Sequence, residues 1–61
     1  MIFIKKNDKG IELLNENMEN IRQFDDAEMQ QRDGVYNIHK KGCDFVVFCT
    51  IPTAAAAILN V

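Results

Sequence analysis

His39, Cys43 and Cys49 are the residues best suited to chemistry, and their spacing decides what chemistry they can do. They are the only imidazole and thiol ligands in the chain. The pattern His-x3-Cys-x5-Cys matches no common zinc arrangement, and a fourth ligand would have to be an acid or come from another chain. A His39–Cys43 pair could activate a thiolate nucleophile, but no third group is placed to orient the imidazole. The acids Glu12, Glu16, Glu19, Asp25, Asp26 and Glu28 could hold a hard cation, yet no Asp-x-Asp-x-Asp-Gly order supports calcium. They read as a solvated helix face. No catalytic residue, cofactor site or metal site is therefore expected. His39 reads as a solvated strand end and Cys49 as a small core residue. If Cys43 and Cys49 share an extended strand they lie up to ~20 Å apart. A disulfide needs Cα atoms within ~7 Å, so strand and ring exclude each other.

Charge divides the chain at Gly34. Residues 1–34 carry eight acids and five bases, whereas beyond them only Lys40, Lys41 and Asp44 are fully charged. From Phe45 to Val61 no side chain other than Cys49 ionises. Such a segment must be covered by its own core, by a partner or by a membrane. A net charge of −2 argues against nucleic acid as the partner. Pro52 interrupts the seventeen apolar and uncharged residues, a stretch at the lower length limit for a spanning helix, and argues against one. Met1-Ile2-Phe3-Ile4 is cut off at once by Lys5-Lys6-Asn7-Asp8 and is not a secretory signal. Two cysteines are too few for a disulfide scaffold, and the expected location is the cytoplasm. Sixty-one residues allow one domain, residues 1–61, with a core that is marginal on its own.

The elements that must position these residues give an α+β reading. Ile2–Ile4 is a short strand, and Asn7-Asp8-Lys9-Gly10 is turn chemistry. Ile11, Leu14, Met18 and Ile21 are spaced as one face of a helix beginning near Glu12. Return of Gly10–Leu14 as the second strand of a hairpin is the rival. Asp25-Asp26-Ala27-Glu28 has the form of a capping box, which predicts a second helix ending near Arg32 before Asp33-Gly34. Val35–His39 is a strand with Tyr36 and Ile38 on one face. After the Lys40-Lys41-Gly42 turn, Asp44–Thr50 is apolar on both faces and reads as a central strand. Pro52 ends it, and Thr53 would cap a short helix over Ala54–Leu59. The expected core is Phe45, Val46, Val47 and Phe48, with Leu14 and Ile21 packed on one side.

The segment Phe24-Asp25-Asp26-Ala27-Glu28-Met29, followed by Asp33-Gly34, loosely resembles the end of a double-glycine leader in bacteriocin and modified-peptide precursors. Glu28-Met29 fits the central pair of that motif. Arg32 stands at its aliphatic position and Gly34-Val35 in place of Gly-Gly. The resemblance implies a leader of about residues 1–34 and an exported core of about 35–61. Processing would fall at Gly34, and modification at Cys43 or Cys49. The composition itself favours a different function: a small non-catalytic interaction or assembly protein with a protein partner or a homo-oligomer. Its contact residues would be Ile58, Leu59 and Val61 in the uncharged tail.

Overall fold

The computed structural model describes residues 1–60 and is all-β. Strands β1 (Ile2–Lys6), β2 (Gly10–Leu14), β3 (Asn20–Asp25), β4 (Ala27–Arg32), β5 (Val35–Lys40), β6 (Cys43–Pro52) and β7 (Ala56–Leu59) follow one another. A single 3-10 turn, Thr53–Ala55, separates the last two. One sheet has the order β3-β2-β1-β7, with β7 parallel to β1 and the other pairs antiparallel; the second is the antiparallel meander β4-β5-β6. All seven strands contribute to one core, in which Ile4 and Ile38 are the most deeply buried side chains. The α+β expectation is thereby corrected.

The front helix gives way to a hairpin for a local reason. Asn7 Oδ1 accepts hydrogen bonds from the Lys9 and Gly10 amides at 3.0 and 2.9 Å, closing the first turn. Gly10 has φ 155°, and a Cβ there would lie 2.3 Å from the Phe24 carbonyl oxygen. Only glycine lets β3 come this close. Gly10–Leu14 then returns along β1, with Lys6 opposite Ile11 and Phe3 opposite Leu14. Asn15 Oδ1 takes the Asn17 and Glu19 amides, and Met18 adopts φ 63°. Short polar side chains that capture neighbouring amides compete with the helix ladder, and here they win. Of the expected helix stripe, Ile11 and Leu14 are buried, but Met18 and Ile21 face solvent.

The second expected helix is a corner and a strand. Asp26 has φ 55° and joins β3 to β4. Its amide donates to the Lys9 carbonyl at 2.8 Å and its carbonyl accepts from Lys41 at 2.7 Å, tying the two sheets together. Asp33 and Gly34, both at positive φ (53° and 78°), form the two-residue turn between β4 and β5. Asp-Gly at such a turn is the strongest short hairpin signal, and here it turns a strand rather than stopping a helix. The tail differs as well. Thr53 makes no capping hydrogen bond; its amide instead donates to the Gly34 carbonyl at 2.9 Å. Ala56–Leu59 pairs with Ile2–Lys5, where the small Ala56 is buried. Tertiary pairing here overrides alanine's helix propensity.

Candidate functional site

The chemistry-bearing residues do not assemble into a site. His39 is not a solvated strand end: it is 3% exposed. Its Nδ1 lies 2.9 Å from the Lys40 carbonyl oxygen and so donates to it. Nε2 is sealed from solvent and has no partner among the described residues, so no ligand reaches it in this conformation. Cys43 and Cys49 are free, half-buried, and stand near opposite ends of β6, opposite Lys40 and Ile38 respectively. Cys49 packs against the core. Among the described residues, no three His, Cys, Asp or Glu side chains gather as metal ligands would.

The acids are dispersed rather than ranked on one helix face. Glu12 accepts from Asn20 at 2.8 Å, Glu19 from Asn15 at 3.0 Å, and Glu28 from the Gly42 amide at 3.3 Å. The Met1 amino group donates to Glu16 Oε1 at 2.6 Å, and its charge adds to that bond. Together they hold the Glu16 carboxyl below the usual glutamate range. Glu12, Glu16, Glu19 and Glu28 are thus each engaged locally, whereas the Asp25 and Asp26 carboxylates have no hydrogen-bond partner among the described residues.

Two apolar features remain. The first is a cleft of about 470 Å³ with Ile4, Ile11, Met29, Ile58, Leu59 and His39 among its lining. Ile58 is 38% exposed and Leu59 partly buried, so two of the three expected contact residues line this cleft. The third, Val61, lies outside the described residues. Gly34 lies apart from them, exposed in the β4–β5 turn.

The second feature is β6 itself, where the central-strand expectation is corrected. β6 is an edge strand, paired only with β5. Its register is broken twice: Ile38 faces Cys49, His39 faces Val47, and Lys40 faces Cys43. Asp44, Phe45, Val46 and Phe48 therefore have no residue opposite them. A ten-residue strand set against one of six arches outward over this stretch. The expected core residues are consequently on the surface: Phe45 is 85% exposed, and Val46, Val47 and Phe48 are also exposed. At one end of the arch, the Phe48 ring stacks on Phe24 with centroids 5.9 Å apart. The Arg22 guanidinium lies 4.9 Å over the same Phe24 ring. At the other end stands Asp44.

The sequence did carry a signal for this arch. A run that is apolar on both faces is compatible with a covered central strand and with an edge strand whose outer side chains stay exposed. No helix among the described residues is long and apolar enough to cross a membrane. The chain matches no known family model, no curated protein and no solved structure.

Proposed function

We propose that this chain is a small non-catalytic interaction protein that works by protein–protein contact, with the β6 arch as its principal surface. The observation that carries the reading is the exposure of Phe45, contiguous with Val46, Val47 and Phe48. Scattered apolar side chains on a surface need no explanation, whereas a contiguous apolar patch marks an interaction site. At about 25 cal/mol per Å² of apolar area, covering a fully exposed phenylalanine contributes about 2 to 3 kcal/mol, enough to make it an anchor. Ile58 and Leu59, in the cleft, form a second apolar surface within the same proposal. The dispersed acids and the sealed His39 nitrogen give catalysis no support. Two free thiols on one strand suit a reducing compartment such as the cytoplasm.

A photocrosslinking residue at position 45, compared with one at exposed Met18, tests the reading. Adducts should form in the producing cell from position 45 and not from position 18. Equal or absent crosslinking at the two positions would sink the proposal. The precursor reading gains nothing from the geometry, because division at Gly34 would cut the β4–β5 hairpin and separate β7 from β1.

A further inference from the structure

We infer that the occupant of the β6 arch is a second copy of this chain, related by a two-fold axis near Val46; this rests on the contact reading above. A two-fold interface brings one patch against itself, so the patch must be self-complementary. From Phe45 onward the chain has no fully charged side chain, and two arches meet without like charges opposed. The two ends of the arch carry opposite charges. Asp44 stands at one end; at the other Phe48 stacks on Phe24, and the Arg22 guanidinium lies over that Phe24 ring. An antiparallel copy centred on Val46 sets Phe45 against Val47 of the second copy. It also brings Asp44 to the Phe48 end, where the second copy's Arg22 lies, and the symmetry makes this contact twice.

The arch also decides the manner of contact. Asp44, Phe45, Val46 and Phe48 have left the β5 ladder, leaving Val47 alone opposite His39, and a bulged edge does not template a continuing sheet. The contact is therefore side-chain packing about a closed axis, giving a dimer rather than a fibre. A standard interface buries about 800 Å² per partner. That is about a fifth of this chain's 4118 Å² surface. The four apolar residues of the arch supply on the order of half of it. Association in the micromolar range is expected, at the weak end for specific interfaces.

Sedimentation velocity on the 61-residue chain from about 1 µM to about 1 mM should show a monomer–dimer equilibrium. Phe45→Asp should weaken it at least tenfold. Asp44→Arg should weaken it several-fold by setting cations together, and Arg22→Asp combined with Asp44→Arg should restore it. Each variant changes an exposed side chain, and circular dichroism checks that it remains folded. A chain that stays monomeric throughout, or a dimer indifferent to Phe45→Asp, overturns the second copy. Failure of the charge swap to restore association overturns the register about Val46. Crosslinks from position 45 separate the two proposals: adducts to a different protein overturn the dimer and leave the contact reading standing, whereas no adducts at all remove both.

Discussion

Ile38 and Phe45 should respond oppositely to truncation, and the contrast tests the fold at its most consequential point. Ile38 is 0% exposed at the centre of β5, between β4 and β6. Removing buried methylenes costs their transfer energy plus the cavity left behind, about 2 to 5 kcal/mol for Ile38→Ala. A chain of this length has a total stability of about 3 to 9 kcal/mol, so that variant loses on the order of half of it. Ile38→Val is the better probe, at about 0.5 to 1.5 kcal/mol. With a urea m-value of about 1 kcal/mol/M, its midpoint should fall by about 1 M. Phe45→Ala removes a larger side chain from a site that is 85% exposed and should stay within about 0.5 kcal/mol of the parent. Urea unfolding followed by circular dichroism, at a protein concentration below any association, measures all three. If Phe45→Ala destabilises the monomer as much as Ile38→Val, Phe45 is in the core and β6 is not an edge.

Gly10→Ala should cost more than about 1 kcal/mol, since its Cβ would meet the Phe24 carbonyl oxygen at 2.3 Å where backbone cannot yield; a melting temperature lowered by several degrees checks it. Deleting residues 53–61 should collapse the circular-dichroism signal rather than merely abolish binding, because β7 is the parallel neighbour of β1 and Ala56 belongs to the core. Ile58→Asp, which leaves that pairing in place, should remain folded by the same measure. Under mild oxidation Cys43 and Cys49 should form no intramolecular ring, and mass spectrometry under denaturing conditions should find both thiols free to alkylate in the monomer.

Strands defined by β-branched and aromatic alternation are legible: Ile2–Ile4, Val35–His39 with Tyr36 and Ile38 buried together, and Asp44–Thr50, which is the inner part of the longer β6. The hairpin at Gly10–Leu14 was visible as a rival. The front helix was favoured because Ile11, Leu14, Met18 and Ile21 fit a period of 3.6. The same stretch also contains Ile11 and Leu13 at a period of two, both buried. Asparagine decided between the periods. Asn7 and Asn15 each bind two backbone amides, which fixes turns at both ends of β2. The role of Asp26 was hidden because a capping acid and a corner residue at positive φ share the same short side chain. The alanine run misled through propensity alone: a narrow strand beside β1 uses alanine for its size.

The exposed run on β6 and the short loops around it answer one another. A flat apolar edge of ten residues would invite ladder pairing with any other chain. Here the turn between β5 and β6 fixes Cys43 opposite Lys40, while Ile51 and Cys49 hold register with Tyr36 and Ile38. The surplus residues between those two anchors have nowhere to go except outward. The arch is thus a consequence of unequal strand lengths, and it presents Phe45 while removing its backbone from the ladder. An apolar anchor offered without a free template separates specific contact from aggregation. For that reason the proposed contact is placed on the arch rather than in the cleft beside β7.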